Sequence, residues 1–151
     1  MSVALIPHLQ CREASKAAEF YQRAFGAEVN MMMPAPDGRL MHGELQIGDA
    51  RLMLCDVFEE CGDVPQAGAI SPVTLHLQVD DCDALFQRAL DAGCETVIPL
   101  EDMFWGDRYG VLSDPFGHRW SIASHVRDVS PEALQEAMQQ FSQNNDKPGC
   151  A

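Results

Sequence analysis

The chain has 151 residues, 46% of them apolar, with 23 Asp and Glu against 10 Lys and Arg and a formal charge of -13. A single domain of this length buries roughly 70% of the surface its unfolded chain exposes, so one hydrophobic core is expected. The acidic excess repels phosphate backbones and anionic lipid, which argues against nucleic acid and membrane as partners; a cationic ligand or a simple charge-dispersed cytoplasmic protein fits it.

The first residues, Met1-Ser2-Val3-Ala4-Leu5-Ile6, contain neither a basic region nor a long apolar run. No stretch approaches the ~18 apolar residues of a membrane span. The six cysteines (Cys11, Cys55, Cys61, Cys82, Cys94 and Cys150) include no C-x-x-C pair. Without a secretory signal they read as reduced thiols of a cytoplasmic protein.

Residues 3–10 alternate Val3, Leu5 and Leu9 against Ala4, Ile6, His8 and Gln10, a strand that Pro7 assigns to an edge. Ser15 is positioned to cap a helix in which Ala18, Tyr21, Ala24 and Phe25 repeat at helical spacing, with Gly26 ending it. A strand over 28–33 is broken by Pro34-Ala35-Pro36-Asp37-Gly38. Residues 39–47 and 51–57 then form a hairpin about Gly48-Asp49. Residues 58–72 are acidic and aperiodic, and read as a linker.

The pattern then restarts. Residues 73–79 alternate Val73, Leu75, Leu77 and Val79 with Thr74, His76 and Gln78. Asp80-Asp81 can cap a helix to Ala92, ended by Gly93, and a strand follows over 95–100. In the run from Trp105 to Trp120, Asp114-Pro115-Phe116-Gly117 has the residues a tight turn requires. Before it, Tyr109, Val111 and Ser113 alternate with Arg108, Gly110 and Leu112. After it, His118, Trp120 and Ile122 alternate with Arg119, Ser121 and Ala123. Ser130-Pro131-Glu132 starts a last helix, whose Ala133, Leu134, Ala137, Met138 and Phe141 form an apolar face that should pack on the domain or on a partner subunit. Residues 142–151 read as a frayed tail.

The restart is visible in the residues. Tyr21-Gln22-Arg23-Ala24-Phe25 matches Phe86-Gln87-Arg88-Ala89-Leu90 at a constant offset of 65, and Gly26-Ala27-Glu28-Val29 is echoed by Gly93-Cys94-Glu95-Thr96-Val97. A duplicated βαβββ unit accounts for both. The fold class is therefore α+β. Two modules, over about 3–57 and 73–125, make a domain over 1–126, and 127–151 carry a C-terminal helix and tail.

Five pieces in order, Ile6-Pro7-His8-Leu9, Phe20-Tyr21-Gln22-Arg23-Ala24-Phe25-Gly26-Ala27, Met41-His42-Gly43-Glu44-Leu45, Phe104-Trp105-Gly106-Asp107-Arg108-Tyr109-Gly110 and the turn from Asp114 to Trp120, carry a resemblance. With the duplication, the chain resembles the vicinal oxygen chelate superfamily of glyoxalase I, extradiol dioxygenases, fosfomycin-resistance enzymes and bleomycin-binding proteins, and within it the PhnB-like branch. The resemblance implies a curved mixed sheet with helices on the convex side, a small-molecule ligand in the concave cleft, and a homodimer.

In the metal-dependent members, four cleft residues hold a divalent ion that chelates substrate oxygens. Carried over residue by residue, those positions fall on Ile6, on the run Leu52-Met53-Leu54-Cys55, on Thr74, and on Ser121 where metal enzymes carry Glu. The resemblance thus implies that the usual site is lost and that no cofactor is required. A displaced site for Zn, Ni, Mn or Fe is the alternative, with His8 and His76, each two residues further along, joined by Glu44. Otherwise the two histidines are neutral, hydrogen-bonded walls of the cleft.

Trp105, Arg108, Trp120 and Arg119 are further cleft candidates, an indole to stack a ring and a guanidinium to grip an anion, with Arg119 sharing a face with Ser121. The alternatives are Trp120 as core beneath a helix and Arg108 in an ion pair with Asp107 or Asp114. Met31, Met32, Met33 and Met53 offer an adaptable apolar wall. There is no phosphate-cradling or methyltransferase-type Gly loop, and no nucleophile–base pair is readable at Ser113, Ser121 or Ser124.

Three readings follow. The first is a metal-free or weakly metal-binding cleft protein holding a small, partly apolar molecule through residues among His8, Glu44, Thr74, His76, Trp105, Arg108, Arg119 and Ser121. The second is a metal-dependent lyase, transferase or dioxygenase using His8 and His76. The third is non-enzymatic sequestration of a cationic drug, as in bleomycin-binding relatives.

Overall fold

Two copies of one strand–helix–strand–strand–strand unit build the chain, in a computed structural model that describes residues 1–58, 69 and 71–144. The first unit contains β1 (His8–Cys11), α1 (Ala14–Phe25), β2 (Glu28–Pro34), β3 (Leu40–Ile47) and β4 (Ala50–Asp56). The second contains β5 (Thr74–Gln78), α2 (Cys82–Ala92), β6 (Glu95–Asp102), β7 (Asp107–Ser113) and β8 (Arg119–His125), and α3 (Pro131–Asn144) follows. Most of the linker expected at 58–72, the tail beyond Asn144, and Cys61 and Cys150 lie outside the described residues.

Each unit makes one four-stranded mixed sheet, ordered β1-β4-β3-β2 and β5-β8-β7-β6. The outermost pairs β1–β4 and β5–β8 are parallel and the others antiparallel, so the two sheets share one topology. The α+β reading of two βαβββ modules with a C-terminal helix describes this architecture.

Two boundaries differ from the sequence reading. The first strand begins at His8 rather than Val3, leaving Val3 and Leu5 83% and 97% exposed. Pro7 has no N–H to contribute to a ladder; its carbonyl accepts from the Met53 N–H at 2.9 Å, and regular pairing starts with the next residue. Ser15 is not the cap of α1. Glu13 occupies that place with φ 57° and no side-chain bond, and the first-turn N–H of Ala14 is met instead by the buried carboxylate of Asp56, at 3.2 Å. The other oxygen of Asp56 accepts from Leu40 N at 2.6 Å, so one side chain ties the start of α1 to the start of β3.

Both helices cover the same side of the sheets. Ala14, Ala17, Tyr21 and Ala24 of α1, and Phe86 and Ala89 of α2, are buried with Leu45, Leu54, Leu112, Trp120 and Ile122 from the strands. Each large side chain so buried contributes about 1.5–3 kcal/mol against an exposed reference. Gly110 is needed for this packing, because a Cβ there would lie 2.8 Å from Phe86 Cε2. Asp81 caps α2 by accepting from Ala84 N at 3.0 Å, as its sequence suggested.

The D-P-F-G turn has a second role. Asp114 Oδ1 accepts from the N–H groups of Phe116 and His118 at 2.8 and 3.0 Å. Its Oδ2 accepts from Tyr21 Oη at 2.6 Å and Trp120 Nε1 at 2.9 Å. Trp120 is core, 2% exposed and 4.4 Å centroid to centroid from Phe25. Helix α3 is capped by Ser130, yet buries no residue; its Phe141 ring meets Phe104 at 5.5 Å.

Candidate functional site

Because side chains alternate along a strand, the buried rows above leave the intervening rows on the sheet face turned away from the helices. In the first sheet the register sets His8 beside Met53, Met53 beside Glu44, and Glu44 beside Met31. In the second it sets Thr74, Arg119 and Ser113 in one row and His76, Ser121 and Val111 in the next.

The polar groups of the first sheet engage one another. The His8 and His42 rings meet edge-on at 5.9 Å, and His42 Nε2 lies 3.3 Å from Glu44 Oε1. Arg51 donates to the other Glu44 oxygen at 2.9 Å. The bonds from His42 and then Arg51 hold Glu44 below the ordinary carboxylate range, so it is an anion with both oxygens occupied.

The second sheet holds a relay that the sequence did not reveal. Ser121 Oγ is 2.7 Å from His76 Nδ1, and His76 Nε2 is 2.9 Å from Gln78 Oε1. The Gln78 oxygen can only accept, so the bond at Nε2 requires a proton on that nitrogen. Tyr109 stacks on His76 with centroids 6.2 Å apart, and Trp105 meets Tyr109 edge-on at 5.6 Å. The position that carries Glu in metal enzymes of the resembled family is here a hydroxyl bonded to imidazole.

A cavity of about 430 Å³ lies between the units. Ile6, Pro7, Leu52, Leu75, Leu77 and Trp120 supply much of its apolar wall, and Arg51, Thr74 and His76 are among its polar groups. Ile6 and Thr74, the two first-strand positions carried over by resemblance, thus face one space.

Arg108 does not join these residues. It lies on the helix side, donating to Asp83 at 3.0 Å and to Asp102 at 3.3 Å. Its alternation with Tyr109 already placed it on the face of Leu112, a parity signal that was there to be used; its carboxylate partners are neither Asp107 nor Asp114. Nor are His8, His76 and Glu44 assembled as a ligand set: among the described residues, no group of three or more His, Cys, Asp or Glu is placed to hold a metal ion. Cys11, Cys82 and Cys94 are buried free thiols, and Cys55 is buried as well. Burial, and then the charge of Asp114, push Cys94 up to about 12 and Cys11 higher still, so neither is a thiolate nucleophile near neutrality.

Comparison with known proteins gives the same family as the fold. The model of the Glyoxalase/Bleomycin resistance protein/Dioxygenase superfamily matches residues 4–122. The chain belongs to this superfamily. An uncharacterized protein of Mycobacterium bovis is 48% identical over 139 residues, covering 89% of this chain and 91% of that protein. The crystal structure of TioX from Micromonospora sp. ML1 superposes with a TM-score of 0.67 at 28% identity, over 83% of this chain and all (100%) of that one. The fosfomycin resistance protein FosX of Listeria monocytogenes, solved with Mn(II) and sulfate, shares the fold with a TM-score of 0.62 at 16% identity, over 89% of this chain and 97% of its own. Superfamily membership gives the fold, and this chain's own residues decide its chemistry. Gln78, Tyr109 and Arg51 were missed by sequence reasoning. The parity of Tyr109 with Val111 was a usable signal, whereas the Ser121–His76 contact depends on a parallel register that no local pattern encodes.

Proposed function

We propose that this protein is a small-molecule-binding cleft protein of the glyoxalase superfamily that holds a small, partly apolar ligand without a resident metal. The observation that carries the reading is the cavity of about 430 Å³ lined mainly by aliphatic side chains, with Asp49, Arg51, Thr74 and His76 as polar points. Its size and lining match the usual range for ligand pockets, about 300–1,000 Å³ with a few placed polar groups. Of the positions that would ligate a metal, Ile6 offers no donor, and Thr74 and Ser121 offer only neutral hydroxyls, poor ligands for Zn, Ni or Fe.

Metal content of protein purified without a His tag tests this, with thermal stability measured on adding Zn, Ni, Mn or Fe. We expect little bound metal and no rise in Tm. Near-stoichiometric metal that disappears in the His8→Ala, His76→Ala double variant would establish the metal-dependent lyase, transferase or dioxygenase alternative. Saturable low-salt binding of a cationic glycopeptide would favour drug sequestration, the reading that the charge of -13 supports.

The proposal includes placement in the PhnB-like branch, a cytoplasmic location and a homodimer. Support for the dimer comes from edge strand β2, where Val29, Met31 and Met33 are 40%, 43% and 49% exposed beside Met41. Light scattering that returns a monomer mass at micromolar concentration would refute it.

A further inference from the structure

Arg119 opens β8 on the sheet face turned away from the helices, in register with Thr74 on one neighbour and Ser113 on the other. Its Nε–H is buried and has no hydrogen-bond partner among the described residues. No carboxylate among them pairs with it, although Arg39 and Arg51 each hold one and Arg108 holds two. A buried donor without an acceptor is costly, and this chain has 23 carboxylates against 10 Lys and Arg from which a partner could have been drawn. The guanidinium instead has no carboxylate partner, and its neighbours in register are the hydroxyl residues Thr74 and Ser113.

The surroundings indicate what would satisfy it. Thr74 lines the apolar cavity, and Arg119 sits one strand further, about 4.8 Å across the sheet. The half-buried aromatic pair Tyr109 and Trp105 adds apolar surface along the same face, over the buried Val111. A ligand lying here meets aliphatic or aromatic groups along its body and one fixed cation with two hydroxyl donors at its end. Arg51 in the same cavity is already neutralised by Glu44, so the one unpaired guanidinium, Arg119, matches a monoanion, and a phosphate dianion would keep an unneutralised charge.

The geometry points to an apolar carboxylic acid as the ligand class, its carboxylate anchored by Arg119 with Thr74 and Ser113 and its body extending into the cavity between the units. This rests on the cleft-binding reading and adds to it the charge and orientation of the ligand. It also runs against the expectation that an acidic surface selects a cation, since the local charge at Arg119 opposes the net charge.

Isothermal titration with 2-naphthoate and its neutral counterpart 2-naphthamide tests the inference on the full chain. Wild type should bind 2-naphthoate at least tenfold more tightly than the amide. Arg119→Gln should remove that preference by weakening 2-naphthoate at least tenfold more than the amide, and Arg119→Lys should restore part of it. Equal affinity for the two probes in wild type overturns the carboxylate anchor and leaves the cleft reading standing; this comparison needs no variant to fold. An Arg119→Gln protein that keeps the wild-type Tm and the full preference also overturns it. Absence of binding by either probe overturns the cleft reading together with the inference.

Discussion

Arg88 and Arg23, equivalent residues of the two repeats, meet in the folded chain: Arg88 Nε donates to the Arg23 carbonyl at 2.7 Å, across an offset of 65 residues. A second guanidinium nitrogen of Arg88 reaches the Gln22 carbonyl at 3.1 Å. These are last-turn carbonyls of α1, where the helix dipole favours a cation and where orphan acceptors need donors. One copy of the duplicated helix therefore caps the other, whereas Arg23 lies over the Phe20 ring.

From this contact, Arg88→Met should destabilise the fold by about 1 kcal/mol although its side chain is exposed, with Arg88→Lys intermediate because an ammonium cannot span both carbonyls. Urea denaturation checks it. A change below about 0.3 kcal/mol would assign the bond to solvent-screened surface contacts.

What could be read from sequence follows from the range of the interaction. The duplicated unit, the helix ends at Gly26 and Gly93, and the Asp81 cap are local patterns, and all were legible. The true partner of the α1 N-terminus, Asp56, lies 42 residues from Ala14, so Ser15 looked like the better cap. Val3 and Leu5 alternate like a buried strand, but alternation reports only the two faces of an extended segment; it does not supply a neighbour for the ladder. At the site, parity placed Ser121 and Arg119 together, whereas the Ser121–His76 bond and the unpartnered Nε of Arg119 required the parallel β5–β8 register. For Arg108 the ion-pair alternative describes the structure, but its partners, Asp83 and Asp102, lie on α2 and β6 and not in its own motif.

Tyr21 donates to Asp114 from α1 into the second unit, and burial with the nearby Asp114 charge pushes its phenol well above the ordinary value. It is therefore a neutral donor to a buried anion. Tyr21→Phe should cost about 2 kcal/mol, the range for a bond to a charged group. Asp114→Ala should cost about 3 kcal/mol or more, since it strands the Tyr21 hydroxyl, the Trp120 indole N–H and two turn N–H groups. Urea midpoints that leave Tyr21→Phe within about 0.5 kcal/mol of wild type would contradict the role of Asp114 as the joint between units.

Asp56 is the corresponding joint within the first unit. Replacing it by Ala leaves the N–H groups of Ala14 and Leu40 without their acceptor, for an expected loss of about 2 kcal/mol or more. Asp56→Asn should fall between, since its amide keeps one acceptor oxygen and turns a donor toward the other N–H. Hydrogen exchange should show the first turn of α1 opening more readily in Asp56→Ala while α2 stays protected. Uniform loss of protection in both helices would mean that α1 has no independent tie at that point.

His125, at the end of β8, faces Asp128 at 2.7 Å and Asp107 at 3.2 Å. Hydrogen bonds to Asp128 and then Asp107 raise its pKa above the ordinary value, so the protonated ring is favoured in the folded chain. A group whose folded pKa is raised contributes stability that is fully present below the unfolded value of about 6.5 and is lost as pH rises through the folded value. The Tm advantage of wild type over His125→Gln should therefore be present at about pH 5.5 and gone by about pH 8.5, and salt should reduce it because the ring is exposed. An advantage that instead grows toward alkaline pH would show that the neutral ring, and not the imidazolium, is the form these two carboxylates hold.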